Sequence, residues 1–450
     1  MVQKKILLWP SHDPDQYIKI ADLLVQNNPN LSLKLFFLKK PKVKIAHEYI
    51  TYESLIESCD MPEDELVRTS LVNFNELILT DRIHKKDQNL RYVLARFIFS
   101  LKDYLNSNEI DSVFGYAVSD SITYGCYKLC KQLNIPYYFL IGSKIQDYFY
   151  ISSNLNGYPE SSNIQSLSIK ESKTLIKRVV QDQVSPKYAS DKSMLANKPL
   201  LQSLKSMKSL LSARILQKNK YLDVEMTFKT AIFRKFRQQL SFIELKRLSE
   251  NFENLKNKKF IYFPLHLHPE TATLIWGRWI HDQLELIKII SRVIPNDCYI
   301  FVKEHKVAAG RHELGFYQQI SNLPNVKILE MNTNSFEISS RASAVATISG
   351  TAGFEALCQN KKVLLFGDAD YANLPNVIKC YDLSKIRENV AQALSLTNLE
   401  NSDIFENHVF LEYVQMKLNS SIALDDYSAN SVDSDLISKL TMLFEEKIFN

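Results

Sequence analysis

Residues 344–367, AVATISGTAGFEALCQNKKVLLFG, decide how the chain is read. Residues 344–348 are a short apolar run and residues 362–366 a second, β-rich one. Between them Ser349-Gly350-Thr351-Ala352-Gly353 is small and flexible enough to turn sharply, and Phe354-Glu355-Ala356-Leu357 opens a helix. Strand, turn, helix and strand make a right-handed parallel unit. The turn gathers free backbone N–H groups and the positive end of a helix dipole at one point, which suits phosphate or carboxylate. The competing reading is a helix cap whose glycines serve packing alone.

Glycine usage favours a ligand. Average usage of about 7% would give ~30 glycines; the chain has 10. Six of them, Gly277, Gly310, Gly315, Gly350, Gly353 and Gly367, lie in the stretch from 277 to 367. A chain that avoids glycine and then clusters it there needs close backbone approach in that region.

Working outward, 450 residues exceed one ordinary core, so two domains with extra helices are expected. The 45% hydrophobic and 23% charged residues are those of an ordinary globular protein. No apolar run is long enough to span a bilayer, and MVQKKILLWP reads as a first strand rather than a signal peptide. A cytoplasmic protein is the expectation. Six scattered cysteines form no CxxC pair and read as reduced, mostly buried thiols. The net charge of +5 hides an asymmetry: residues 161–260 carry 21 Lys and Arg against 8 Asp and Glu. That basic, serine-rich stretch suits an anionic lipid or acceptor, or is simply a solvated helical surface. It resembles no nucleic-acid-binding module, so no nucleic-acid partner is expected.

In chain order, strands are expected at 5–9, 31–38, 111–117 and 135–141, and helices at 15–26, 49–59, 64–79, 89–105 and 119–133. The stretch after residue 141, GSKIQDYFYISSN, reads as a polar and aromatic loop. This half has no GxGxxG, so a dinucleotide site is not expected there. Residues 168–259 read as mostly helical, with one long helix or two over 224–256. Strands resume at 259–265, 298–303 and 326–329, with helices at 283–294, 313–323, 336–342, 384–396, 403–420 and 434–449.

Four loops of the second half follow strand ends: LHLHPETAT at 265–273, KEHKVAAGR at 303–311, SGTAG at 349–353 and FGDADY at 366–371. In an open parallel sheet ligands bind outside the carboxyl ends of the strands. Lys303, His305 and Arg311 can carry charge on a leaving phosphate, or form an exposed loop cluster. His266 and His268 share one face of an extended segment, but no third ligand accompanies them, so no metal is expected. Glu270 is either a general base or an acid at a helix start. Glu355 either binds ribose hydroxyls or complements a helix dipole. His12 ends the first strand and is a fallback base, as is His266. Asp368-Ala369-Asp370 mimics a DxD metal motif but stands too late in the chain and reads as a loop.

Taken in order, Leu265-His266, Pro269-Glu270, Asp282-Gln283, Lys303-Glu304-His305, Gly310-Arg311, Asn325-Val326, Ser349-Gly350-Thr351, Gly353, Glu355-Ala356 and Phe366-Gly367 form one pattern. It resembles that of bacterial capsule and surface polysaccharide biosynthesis proteins related to the capsule Kdo transferases. The match covers roughly 259–371. The resemblance implies an α/β fold of GT-B type, with two Rossmann-like domains facing a cleft. It also implies a nucleotide-sugar donor, with CMP-Kdo among the candidates, held by the second domain, and a glycan or glycolipid acceptor held by the first. The family's His-Pro is His305-Lys306 here; proline would fix that loop, and lysine leaves it freer and adds charge.

The expected organisation is an α/β acceptor domain over 1–258 with a basic helical insertion at about 160–258. A donor domain over 259–400 follows, and helices over 401–450 return toward the first domain. The donor contacts expected are Lys303, His305, Arg311, Ser349, Gly350, Thr351, Gly353 and Glu355; the catalytic candidates are Glu270, His266 and His12. No cofactor is expected, and peripheral contact with the inner membrane is. The reading is a glycosyltransferase, with two alternatives: a nucleotide-sugar epimerase or hydrolase on the same plan, and a non-catalytic partner in polysaccharide assembly or export.

Overall fold

A computed structural model describes residues 3–9, 14–41, 44–81, 89–115, 117–145, 148–160, 164, 166–181, 228–268, 270–277, 280, 282–306, 308–309, 311–395, 403–423 and 434–449. In chain order its strands are β1 (Lys4–Leu8), β2 (Leu31–Phe37), β3 (Tyr49–Thr51), β4 (Ser112–Gly115), β5 (Tyr137–Gly142) and β6 (Tyr148–Ser152). Then come β7 (Ser249–Glu250), β8 (Lys259–Pro264), β9 (Cys298–Lys303), β10 (Val326–Leu329), β11 (Ala344–Thr347), β12 (Lys362–Leu365), β13 (Val377–Lys379) and β14 (Ile422–Ala423). They form two seven-stranded sheets in two compact units. The described residues of the first unit lie within Met1–Leu167 and Met416–Asn450, and those of the second within Ser168–Gln217 and Glu225–Gln415.

The first sheet runs β14-β6-β5-β4-β1-β2-β3. From β3 to β5 it is parallel, and β6 and β14 add antiparallel edges. The reversal of strand order between β1 and β4 makes this a Rossmann-like half. Ile6, Leu8, Leu33 and Leu35 face the buried sides of the helices Pro14–Asn27 and Ser434–Phe449. Phe444 of the last helix meets Tyr17 edge-on at 6.3 Å and Phe114 at 5.2 Å. The C-terminal helix is therefore part of this unit's core.

Three local readings change here. The stretch after residue 141 is a hairpin, β5 and β6, rather than a loop. Its run Tyr148-Phe149-Tyr150-Ile151 is β-prone and pairs Leu140 with Ile151. The helix expected over 64–79 is two, Glu63–Thr69 and Phe74–Thr80, because Asn73 breaks the run and caps the second, accepting from Asn75 N–H at 3.0 Å. Residues 49–51 form β3, and Thr51 caps the helix Tyr52–Glu57 that follows.

The second sheet runs β13-β12-β11-β8-β9-β10-β7, all parallel. The order reverses between β8 and β11. Parallel strands covered on both faces read as continuous apolar runs, and Phe260, Ile261, Tyr262 and Phe263 of β8 are all buried. Ile261 and Phe263 enter one core with Ile300, Val302 and Ala346. On the other face Phe260 stacks on Phe301 at 4.2 Å.

The helix Phe228–Leu248 packs with the second sheet. Leu245 enters its core. Glu244 accepts from the Gly315 and Gln318 N–H groups at 3.1 and 2.8 Å, satisfying donors at the start of the helix Phe316–Ser321. β7 follows directly and pairs with β10. The helix Ile169–Gln181 is tied to the same unit through Lys173–Glu406 at 2.5 Å and Lys177–Asp403 at 3.4 Å. The described residues thus pass from the first unit to the second at 167/168 and back at 415/416, where the sequence reading has boundaries at 258 and 400. Long-range pairing, invisible in local pattern, sets the division.

Candidate functional site

The site grows from the reversal of strand order between β8 and β11. Such a point leaves a crevice at the carboxyl ends of both strands, because the flanking loops run to opposite sides. The chain leaves β8 through Leu265 and His266, and leaves β11 through Ile348, Ser349 and Gly350.

His266 is buried at this point. Gln283 grips its backbone from both sides: its Oε1 accepts from the His266 N–H at 2.7 Å, and its Nε2 donates to the His266 carbonyl at 3.1 Å. The ring reaches β11, where Nε2 accepts from the Ile348 N–H at 3.1 Å and meets the Thr347 hydroxyl at 3.1 Å. A donor at Nε2 assigns the ring proton to Nδ1. Burial pushes the imidazole pKa down to about 4, and the nearby His305 adds to the shift. His266 is therefore neutral at pH 7.

The turn is built onto this ring. Thr347 Oγ1 accepts from the Gly350 N–H at 3.2 Å, and the Gly350 carbonyl accepts from Tyr371 Oη at 2.7 Å. A Cβ on Gly350 would lie 2.7 Å from His266 Cε1, so only glycine admits the imidazole here. Gly353 makes equal room for the Tyr371 ring. Ser349 is buried, and its hydroxyl donates to the Ala272 carbonyl at 3.1 Å, tying the turn to the loop after β8. Gly350 caps the helix Thr351–Cys358. Thr351 and Ala352 are its first residues, where backbone N–H groups have no carbonyl one turn back and the dipole favours an anion.

Lys303 ends β9, buried, and donates to Ser335 Oγ at 2.8 Å. Burial lowers its pKa to about 8, aided by the Lys306 charge and opposed by Glu304 and Glu355. Burial raises the Glu355 carboxyl above its ordinary value, and Lys303 pulls it back. The two residues form one electrostatic unit. Glu304 is fully buried; its carboxylate accepts from the His305 N–H at 2.7 Å and from Tyr317 Oη, and stands 3.1 Å from His312 Nε2. This holds both ends of the loop that carries His305 and Arg311, whose side chains are exposed.

The structure thus gathers His266, Ser349, Gly350, Thr351 and Gly353 around the turn and couples Lys303 with Glu355. Glu270 is half-buried and opens the short helix Thr271–Leu274, where Thr273 Oγ1 lies 3.1 Å from its carbonyl and 3.3 Å from its N–H. His268 Nδ1 meets the same Thr273 hydroxyl at 2.9 Å, so His266 and His268 serve different partners. His12 and Gly310 lie outside the described residues. Thr347, Tyr371, Gln283 and Glu304 are working residues to which the sequence reading gave no role, although Gln283 and Glu304 stand in the family-like pattern and Tyr371 in the loop at 366–371. Thr347 left a sign of its own: it is the hydroxyl in an otherwise apolar strand.

The family comparison comes to the same region. Residues 167–375 match the family described as capsule polysaccharide biosynthesis protein. Protein FixF of Sinorhizobium fredii (strain NBRC 101917 / NGR234) is 27% identical over 138 residues, 30% of this chain and 32% of that protein. The chain therefore spans about a third of this curated relative. Among solved structures, the Thermosulfurimonas dismutans KpsC beta Kdo 2,7 transferase aligns at TM-score 0.36 and 12% identity, covering 98% of this chain and 100% of that one. The Methanocaldococcus jannaschii UDP-GlcNAc 2-epimerase, in complex with UDP-GlcNAc and UDP, aligns at TM-score 0.28 and 10% identity, covering 91% and 97%. The Rossmann-like assignment itself stands on the strand orders and registers of the two sheets, and two such halves are the components of a GT-B chain. The residues that match the capsule polysaccharide biosynthesis family, 167–375, hold the whole of the switch-point site.

Proposed function

We propose that the protein is a glycosyltransferase. It moves a sugar from a nucleotide-sugar donor, CMP-Kdo being one of the class, to a capsular or other surface polysaccharide or its lipid-linked precursor at the inner membrane. The observation that carries this reading is the turn at the start of the helix Thr351–Cys358, locked to a neutral histidine at the switch point of the second sheet and suited to an anion.

In the reaction an acceptor hydroxyl oxygen bonds to the anomeric carbon while the bond from that carbon to the phosphate oxygen breaks. Negative charge develops on the leaving nucleotide. The N–H groups at the start of the helix Thr351–Cys358, with Lys303 and His305, are suited to receive it. The His266 Nδ1–H can donate as well, because Nε2 is occupied by Ile348. Glu355 suits the hydroxyls of the donor. A base must take the acceptor proton; Glu270 is the carboxylate at the strand end, with His12 of the first unit as the alternative.

The test is incubation with CMP-, UDP- and GDP-sugars, following nucleotide release with and without glycan acceptor. Acceptor-dependent release supports the transferase. Equal release without acceptor makes the protein a hydrolase, and a changed sugar with the nucleotide still attached makes it an epimerase.

A further inference from the structure

The outer face of the helix Phe228–Leu248 is apolar where a surface helix is ordinarily polar. Phe236, Leu240 and Ile243 are 55%, 38% and 59% exposed. Their spacing, i, i+4 and i+7, puts them on one stripe. Lone exposed apolar side chains are common on proteins, but three in register over two turns are not. Lys246 and Arg247, both exposed, continue the stripe by one more turn, with Arg247 Nη2 donating to Gln318 Oε1 at 3.4 Å. The opposite side is the packed one, where Ser241 and Leu245 are buried; Glu244, on the flank, is spent on the Gly315 and Gln318 N–H groups. Arg237 stands 4.0 Å from Glu313. No acid occupies the exposed positions 236, 240, 243, 246 and 247.

We propose that this face docks on an anionic lipid bilayer. Phe236, Leu240 and Ile243 enter the boundary between headgroups and acyl chains, while Lys246 and Arg247 reach the lipid phosphates. Charge decides for a bilayer over a protein partner. Apolar side chains continued by cations at 246 and 247, with no acid at the stripe positions themselves, match a surface that is apolar below and negative above. A second copy of the chain offers no acid at the described stripe positions to meet the cations. The sequence over 161–260 carries a net charge of the same sign, 21 Lys and Arg against 8 Asp and Glu. This names the surface and the lipid charge behind the membrane contact proposed above, and it is independent of the donor and the reaction.

The test uses the full chain and needs no turnover. The wild type is sedimented with vesicles of phosphatidylcholine alone and of phosphatidylcholine with phosphatidylglycerol. Preferential binding to the anionic vesicles is expected, weakening as salt is raised. Phe236→Ser/Leu240→Ser/Ile243→Ser should lower the partition about tenfold or more. Lys246→Ser/Arg247→Ser should remove the preference for the anionic lipid while leaving the thermal transition unchanged. If the triple variant melts early, this charge variant alone decides. A wild type that binds neither vesicle overturns both the membrane contact and this surface. A wild type that binds, with both variants binding equally well, overturns the surface only. A triple variant that converts a dimer to a monomer with vesicle binding unchanged makes the face a self-interface and overturns the proposal.

Discussion

His266 and Ile348, 82 residues apart, are joined where the second sheet reverses its strand order: Nε2 of the histidine accepts the isoleucine N–H at 3.1 Å. The bond fixes the ring's tautomer and the start of the SGTAG turn together. A change at either residue is felt at both.

Removing the ring leaves the buried Ile348 N–H without its acceptor. His266→Ala should cost about 2–4 kcal/mol of unfolding free energy and His266→Gln less, since an amide oxygen can still accept. The pH dependence is the sharper readout. The folded pKa of about 4 lies below the ordinary 6.5. The unfolded chain therefore binds more protons between those values. Stability contributed by His266 is full above about pH 6.5 and is lost as pH falls toward about 4, by roughly 3 kcal/mol. Denaturant titrations across that window should show a shallower slope in His266→Gln than in the wild type. Parallel slopes would leave the buried neutral histidine unsupported.

Gly350 and Thr351 separate the turn's geometry from its chemistry. Gly350→Ala puts a methyl group 2.7 Å from His266 Cε1 and should destabilise the protein by about 1–3 kcal/mol as the ring shifts. Thr351→Leu keeps the backbone and crowds the helix start. Nucleotide binding by calorimetry should be abolished while the thermal transition stays in place. Unchanged affinity in Thr351→Leu would remove the turn from the donor site.

Lys303 should make donor affinity depend on pH. Its pKa of about 8 means that it loses its charge as pH rises through that value, well before an ordinary lysine. Nucleotide affinity should be highest below about pH 8 and fall above it. Lys303→Met should bind weakly at all these pH values, with the dependence gone. The same shift bears on stability: between about 8 and 10.5 the unfolded chain holds more protons, so raising pH through this window stabilises the fold. Opposite pH trends of stability and affinity would identify the group.

Glu270→Gln keeps the size of the side chain and removes its basicity. If Glu270 takes the acceptor proton, turnover should fall about 100-fold or more while donor affinity persists. Joint loss of affinity and turnover would make it a donor-binding residue. Loss of neither would leave it the acid that opens Thr271–Leu274 and move the base to the first unit.

Much of the second sheet was legible locally. The strand–turn–helix–strand over 344–367 is a contiguous unit, and glycine is rare enough in this chain that Gly350 and Gly353 stood out. The structure gives both a reason: an imidazole and a phenol ring occupy the space their side chains would take. The hairpin β5–β6 was missed because its partner register, Leu140 with Ile151, lies in pairing rather than in composition.

Sequence by itself determined the α/β character of both halves, the position of the turn and the run of polar residues at the strand ends. Each depends on spacing within one or two elements, and backbone geometry translates such spacing directly into periodicity and caps. Only the tertiary structure decided that His266 is a buried neutral acceptor, that Thr347 and Tyr371 brace Gly350, and that Phe228–Leu248 belongs to the second unit. Those facts follow from strand order, which sets β8 beside β11 and β7 beside β10 across long stretches of chain. Burial then moves a titrating histidine to about 4 and a lysine to about 8, because desolvation acts on whatever charge the fold encloses.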